Sequence, residues 1–245
     1  VEFNDGRVFE RVSLPQRLGG RTVGRVWNFR DITQFKRSES ELQETLKILR
    51  RALGGTIQAI ALTVEKKDPY TAGHQQRVSD LARAIATELR LPKQTIDGIR
   101  LAGSIHDIGK NCVPADILSK PGKLTDHEFG IIKTHPEVGF EILRGIRFPW
   151  PIAKAILQHH ERIDGSGYPS GLKGDNIIIE ARVIAVADVV EAISSHRPYR
   201  PALGTSVALH EITKGRGVIY DADAVDACIR LLNEKKFRFR FSNWN

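Results

Sequence analysis

The chain contains 245 residues, of which 41% are hydrophobic and 27% are charged, and this ordinary balance excludes a wholly disordered protein. Its formal net charge of +8 favours anionic partners but does not distinguish a nucleotide from a nucleic acid or from a well-solvated surface. The two cysteines, Cys112 and Cys228, exclude a disulfide framework and a CxxC metal knuckle.

The sequence contains no indication of a membrane span or a targeting peptide. It has no uninterrupted apolar stretch of about 18 residues and no signal peptide. With so few cysteines it suits a reducing compartment, so we expect a cytoplasmic protein. The chain begins at Val1 and contains no methionine, and we therefore expect a piece of a longer protein that could carry a membrane anchor or a sensor upstream.

An antiparallel pair of strands is predicted at the N-terminus. Residues 7–15 and 21–30 are rich in β-branched and aromatic residues and flank the sequence QRLGG, which is typical of a glycine-containing turn. Two strands cannot bury a core alone, so this segment indicates the end of a truncated domain. The string WNFRDIT at 27–33 resembles the last strand and exit of a PAS sensor domain.

A long amphipathic helix is predicted next. Between residues 42 and 64, Leu, Ile and Val recur at spacings of 4, 3, 4, 4, 3 and 4, an eleven-residue repeat taken twice. Gly54 and Gly55 interrupt it, each costing about 1 kcal/mol of helix propensity. Before Gly54 only this stripe is apolar, which favours a dimeric coiled coil over a helix packed on its own domain. We expect a homodimer through residues 37–53.

The rest of the chain is predicted to be all-α. From Asp68 to about Leu232 there is no strand alternation, and helical patterns dominate. Apolar residues recur at helical spacing in segments 77–91, 94–108, 127–135, 136–146, 150–161, 180–195 and 221–236.

Histidines and carboxylates are the residues that indicate chemistry. The candidates lie next to glycine turns, acidic groups or each other, or interrupt an apolar helix: His74, His106, Asp107, His135, His159, His160 and Asp188. Each histidine alone is better explained as a hydrogen-bonded core residue, whereas Asp188 alone fits a structural and a functional role equally well. Together, imidazoles and carboxylates without thiolates are typical of Fe, Mn, Zn or Ni sites. Seven ligands exceed the needs of one ion, which favours two ions bridged by a carboxylate, as in phosphoester cleavage.

The order of these residues resembles the HD phosphohydrolases, through His106-Asp107 in LAGSIHDIGK with a histidine upstream and Asp188 downstream. HHERIDGSGYPSGLKGD at 159–175 is similar to the extended signature of the HD-GYP subfamily. DPYTAGH, KTHPEVGFEIL and ARVIAVADVVEAISSHRPYRPALG resemble other motifs of that subfamily. The resemblance covers about 165 residues. It implies an HD-domain helical bundle that hydrolyses cyclic di-GMP to pGpG or GMP.

The resemblance also implies a set of site residues around two divalent ions, iron or else manganese. The ligands of one ion would be His74, His106, Asp107 and Asp188, and those of the other Asp107, His135, His159 and His160. The catalytic residues would be Asp107 and Lys110, and the substrate contacts Lys110, Tyr168, Arg197 and Arg200. Some members bind a third ion through a glutamate four residues before the first histidine. Tyr70 stands at that position here, so two ions are expected.

Three functions remain open. The favoured one is a cyclic di-GMP phosphodiesterase regulated by an upstream PAS sensor. A phosphohydrolase acting on another nucleotide would not need the GYP segment, and a silent binding or protein-interaction module would be expected to have lost ligands. Nucleic-acid binding is not expected, because it rests only on net charge and on KKFRFRF at 235–241. The predicted segments are a PAS-like fragment at 1–35, a linker helix at 36–64, a phosphodiesterase domain at 65–236 and a basic tail at 237–245.

Overall fold

The structure is a computed structural model that describes residues 1–67, 73–195, 202–235 and 237–239. The chain divides into two units, Val1–Thr56 and Ile57–Asn245. In the described residues, no helix combines the length and the apolar character that a membrane crossing requires.

The first unit begins with the predicted hairpin. Strand β1 (Phe9–Leu18) pairs antiparallel with β2 (Arg21–Asp31) through a two-residue turn, and the register shifts between Gln16 and Arg17. The first strand therefore begins two residues later and ends three residues later than predicted. At the exit of β2, Asp31 accepts hydrogen bonds from the backbone N–H and the hydroxyl of Thr33, where the next helix begins. That this hairpin ends a PAS-like domain stays a prediction.

Helix α1 spans Thr33–Lys67, so the predicted linker helix of 36–64 is longer at both ends. It continues through Gly54 and Gly55, whose low helix propensity does not end it. Within the first unit its leucine stripe is exposed; the stripe comprises Leu42, Leu46, Leu49 and Leu53. Within the second unit, Ala61 of the same helix belongs to the buried core.

The second unit is a bundle of helices, which confirms the expected all-α architecture. Its helices are α2 (His74–Glu88), α3 (Lys93–Ile105), α4 (Ala115–Leu118), α5 (Asp126–Ile132), α6 (His135–Leu143), α7 (Ile152–Gln158), α8 (Ile179–Ser194), α9 (Thr205–Lys214) and α10 (Ala222–Asn233). Two 3-10 turns lie at Ile108–Cys112 and Gly174–Asn176. Helix α8 is central, since it packs against α2, α3, α7, α9 and α10. Its apolar run is almost wholly buried, which explains why that run shows little amphipathic alternation.

Several predicted boundaries were wrong in ways that matter for the site. The helix predicted over 94–108 ends at Ile105, and the one predicted over 150–161 ends at Gln158, so the histidines lie just beyond both ends. Helix α5 begins at a capping box formed by Thr125 and Glu128 and ends at Ile132. His135, predicted to end that helix, is instead the first residue of α6. Helix α9 was not predicted.

Candidate metal centre

Helix ends bring the predicted histidines together. His74 and His135 are the first residues of α2 and α6. His106 and His159 directly follow the last residues of α3 and α7. All four are buried, and neighbouring ring centroids lie 5.2 to 5.3 Å apart along this row. Residues from distant parts of the sequence thus form one buried cluster of imidazoles.

Asp107 lies at the centre of this cluster, and its two carboxylate oxygens face different histidines. Oδ2 lies 3.5 Å from His106 Nε2 and 3.9 Å from His74 Nε2. Oδ1 lies 3.4 Å from His135 Nε2. Oδ2 also accepts a hydrogen bond of 2.7 Å from Lys110 Nζ. A carboxylate with its oxygens turned in two directions is suited to bridging two cations.

The remaining candidates complete two groups around that carboxylate. Asp188, in the middle of α8, places Oδ1 3.2 Å from His74 Nε2 and 3.8 Å from His106 Nε2. On the other side, His135 Nε2 lies 3.3 Å from His159 Nε2. Donor atoms lie within 4.8 Å of one another in the groups His74, His106, Asp107 and Asp107, His135, His159, His160. The structure therefore brings together the residues that the sequence indicated; that they bind metal stays a prediction.

Hydrogen bonds at Nδ1 orient the buried rings. The last carbonyls of a helix have no partner within the helix, and three histidines donate to such carbonyls. The pairs are His106 with Gly103 O (2.9 Å), His135 with Ile132 O (2.7 Å) and His159 with Ile156 O (2.6 Å). A carbonyl only accepts, so Nδ1 carries the proton and a neutral ring keeps its lone pair on Nε2. This is the usual way in which proteins prepare a histidine as a metal ligand.

Protonation in the His135 group also favours metal binding. Burial lowers the pKa of His135 to about 4 and that of His160 to about 3, and it lowers the pKa of His159 well below the ordinary value. Burial alone would raise the pKa of Asp107, but the charges of Lys110 and the nearby histidines outweigh it and hold that pKa well below the usual range. On the His135 side, neutral imidazoles therefore lie beside an ionised carboxylate.

His74 differs from these rings. Its burial lowers the pKa, but hydrogen bonds to Asp188 and Glu191 outweigh burial and raise the pKa of His74 to about 9. A cation bound here would replace a proton, as is common at metal sites. Oriented imidazoles and ionised carboxylates without thiolates form a donor set that fits a pair of divalent ions.

The GYP segment covers the His160 side of the cluster. Tyr168 stacks on His160 with ring centroids 4.7 Å apart and planes inclined by 28°, and its N–H donates to His160 O. A Cβ on Gly167 would lie 2.4 Å from Glu161 Cα and from Arg162 N, so only glycine fits there. Burial raises the pKa of Tyr168 above its ordinary value, so the ring beside the candidate ligands stays a neutral phenol.

A second close approach joins Asp107 to α6. A Cβ on Gly109 would lie 1.9 Å from the carbonyl oxygen of His135 and 2.7 Å from the N–H nitrogen of Gly139. The turn at Ile108–Cys112 therefore packs backbone against backbone on the start of α6. The separation between Asp107 and His135 depends on this contact.

Sequence analysis missed two buried glutamates. Glu191 accepts a hydrogen bond from Nδ1 of His74. Glu161 accepts from the backbone N–H groups of Ser170 (2.7 Å) and Leu172 (3.0 Å), which holds the loop after GYP. The argument that singled out Asp188, a charge inside an apolar helix, applies equally to Glu191 three residues later. The predicted substrate contacts Arg197 and Arg200, and Tyr70, lie outside the described residues.

Comparisons with known proteins agree with this geometry. Residues 58–224 match the profile of a family described as the HD domain. The chain is 39% identical over 207 residues to the cyclic di-GMP phosphodiesterase response regulator RpfG of Xanthomonas campestris pv. campestris, covering 80% of this chain and 55% of that protein. It is 34% identical over 203 residues to the 3'3'-cGAMP-specific phosphodiesterase 3 of Vibrio cholerae, covering 83% and 44%.

A solved structure supports the fold. Bd1817, an HDG"Y"P protein from Bdellovibrio bacteriovorus, superposes with a TM-score of 0.55 at 19% sequence identity, over 65% of this chain and 51% of that one. At this identity the likeness concerns the fold alone. The chain spans about half the length of the curated relatives named above.

Proposed function

The chain belongs to the HD domain family, and on that premise we propose that its helical unit is a metal-dependent phosphodiesterase that hydrolyses cyclic di-GMP to pGpG or GMP. The observation that carries the proposal is the pair of ligand groups that share Asp107. One such group would serve a structural ion; two groups joined by a carboxylate correspond to sites that cleave phosphodiesters.

Each group would hold one divalent ion. His74, His106 and Asp188 would bind the first, His135, His159 and His160 the second, and Asp107 would bridge them. Nitrogen and oxygen donors without thiolate suit Fe, Mn, Zn or Ni, and the resemblance to the HD-GYP subfamily favours iron or else manganese among them. When bound, such a pair supplies a hydroxide near neutral pH and a clamp for the phosphodiester oxygens.

Residues of the chain would position the substrate and offset its charge. Lys110 is half-buried at the edge of the cluster, with Nζ 2.7 Å from the bridging carboxylate, where it would offset charge that builds on phosphorus. Tyr168, which stacks on His160, would line the nucleotide pocket. Arg197 and Arg200 would contact the phosphate or the guanine. The carboxylates and imidazoles of the cluster would bind the cations, so the proposed reaction uses no nucleophile from the protein.

The relatives support a cyclic dinucleotide as the substrate and suggest two candidates. RpfG is named for cyclic di-GMP and the Vibrio enzyme for 3'3'-cGAMP. We place cyclic di-GMP first because the chain is more identical to RpfG than to the cGAMP enzyme.

Regulation and assembly form a second part of the proposal. We propose that residues 37–53 pair with the same segment of a second copy, since the leucine stripe of α1 is exposed within the first unit. The hairpin of β1 and β2 would be the end of a PAS-like sensor domain. Its Trp27 and Phe29 are about half exposed, which is typical of a sheet that lacks part of its packing.

The test is incubation of the metal-replete chain with cyclic di-GMP and, separately, with 3'3'-cGAMP, followed by chromatographic separation of the products. We expect linear pGpG or GMP from cyclic di-GMP with Fe(II) or Mn(II), and no product after metal removal. Faster cleavage of 3'3'-cGAMP would select the second substrate. Bound but intact nucleotide with both metals would instead establish a silent binding module.

A further inference from the structure

Glu191 is a buried carboxylate to which the proposed reaction assigns no part. Its residue is 1% exposed in α8. Oε1 accepts hydrogen bonds of 2.6 Å from Arg77 Nε and 2.6 Å from Ser195 Oγ. Oε2 contacts Nδ1 of His74. The three partners, Arg77, Ser195 and His74, therefore fix the orientation of the carboxylate.

The Nδ1 partner of His74 is of a different kind from those of the other oriented histidines. The other oriented histidines donate Nδ1–H to a carbonyl at a helix end three residues earlier in sequence. His74 is the first residue of α2, and the position three residues before it lies outside the described residues. The acceptor instead comes from a helix 117 residues further along the chain. This contact leaves Nε2 directed at Asp188 Oδ1, 3.2 Å away.

We propose that Glu191 is a positioning residue for the first metal ion: it holds the proton of His74 on Nδ1 and so keeps the lone pair of Nε2 available to the cation. Arg77 and Ser195 hold Oε1, which leaves Oε2 for the imidazole. Carboxylate–histidine–metal arrangements of this type typically contribute a factor of about 10–100 to metal affinity. The inference rests on the proposed dinuclear site.

Glu191→Gln is the decisive substitution. Arg77 and Ser195 both donate, so they retain the amide oxygen, and the amide N–H then faces Nδ1 of His74. Nδ1 must accept that hydrogen bond, which moves the ring proton to Nε2, the atom that would bind metal. A variant of nearly identical shape therefore changes the tautomer of a metal ligand.

The measurement is titration of metal-free protein with Mn(II), followed by electron paramagnetic resonance. We expect the native chain to bind two ions with the spectrum of a coupled pair. In Glu191→Gln we expect one ion to bind about 10–100-fold more weakly and the spectrum to become that of an isolated ion. Asp221→Asn is the matched control: it neutralises a buried carboxylate that pairs with Arg182 and caps α10, and it should bind two ions like the native chain.

The outcomes separate this inference from the proposed function. If the native chain does not bind a coupled pair of Mn(II) ions, the proposed dinuclear site fails. If it does and Glu191→Gln binds the pair with unchanged affinity, only the role of Glu191 fails. Should Glu191→Gln not fold, Glu191→Asp retains the charge but withdraws it from His74, and native Mn(II) affinity in that variant would overturn the inference.

Discussion

Both halves of the candidate metal centre are largely buried, yet the pKa of His74 in one half is raised and that of His135 in the other is lowered. In the half with His74, three carboxylates lie near the imidazoles, and the pKa of His74 rises to about 9. In the half with His135, the shared Asp107 is the only carboxylate of the ligand group, and burial lowers the pKa of His135 to about 4. The difference teaches that direct hydrogen bonds to carboxylates can outweigh burial in setting the pKa of a buried imidazole, as they do at His74.

Because of this difference, the two ions would lie beside different amounts of negative charge. A cation in the first half would meet Asp107 and Asp188 directly, with Glu191 behind His74. A cation in the second half would depend on Asp107 for counter-charge and on three neutral rings for the rest. Substitutions that remove charge from both halves, from one half or from neither should therefore have graded effects.

Asp107→Ala is expected to have the largest effect, because it removes charge from both halves at once. We expect turnover to fall by more than the 10–100-fold typical of residues that only support a ligand, together with a loss of bound metal in both halves. Metal analysis and product chromatography on the same preparation measure this. Native activity in Asp107→Ala would end the two-ion proposal.

A pair of single-sided substitutions tests the asymmetry itself. Asp188→Asn removes charge from the first half, and His135→Ala removes a neutral ligand from the second. We expect each variant to retain one ion, and Asp188→Asn to weaken its own half the more, because a buried charge contributes more than a neutral donor. Mn(II) titration of both variants supplies the two affinities. Equal losses would show that the carboxylate count does not distinguish the halves.

A smaller effect is expected from Glu161→Gln, which leaves both ligand sets intact. The two carboxylate oxygens of Glu161 accept from Ser170 N and Leu172 N, and the amide group of glutamine can accept only one of these bonds. Loss of one hydrogen bond to a charged group should loosen the loop that carries Tyr168 and raise KM about tenfold. Steady-state kinetics with full metal occupancy measure this. A fall in metal content without a change in KM would contradict it.

The smallest effect concerns the core beneath the site. Cys228 in α10 is buried, which raises the pKa of its thiol to about 12 and suppresses the reactive thiolate, whereas Cys112 is exposed. We expect a thiol reagent at pH 8 to modify Cys112 only, and the protection of Cys228 to be the same in the native chain and in each variant above. Mass spectrometry after timed labelling reads both sites. Rapid labelling of Cys228 in a variant would mean that its metal loss reflects unfolding.

Local patterns predicted the helices but not all of their ends. Apolar periodicity located the central helix α8, whereas α9 buries only Ala208 and Ile212 and so leaves a weak pattern. The backbone contact of Gly109 with His135, just beyond the end of α3, brings together residues distant in sequence. Such a contact has no local signal.

The sequence identified the candidate ligands, because their residue types indicate metal binding. It could not identify contacts between residues that only the fold brings together. Clustered histidines and the order HD, HH and GYP pointed to the ligand residues directly. The partner of His74 could not be identified in the same way, because Glu191 lies 117 residues away. Which oxygen of Asp107 faces which ring likewise depends on how α3, α6 and α7 pack.

Gly109 lies between these ligand-bearing segments and has a practical consequence for engineering. Main chain touches main chain there, and any side chain at position 109 would bring its Cβ into overlap with the backbone of α6. No rotamer change can relieve that overlap, because it involves the Cβ atom itself. A library that seeks a different metal preference gains nothing from varying position 109. In a deep mutational scan this residue, which donates no atom to a cation, would tolerate replacement as poorly as the ligands themselves.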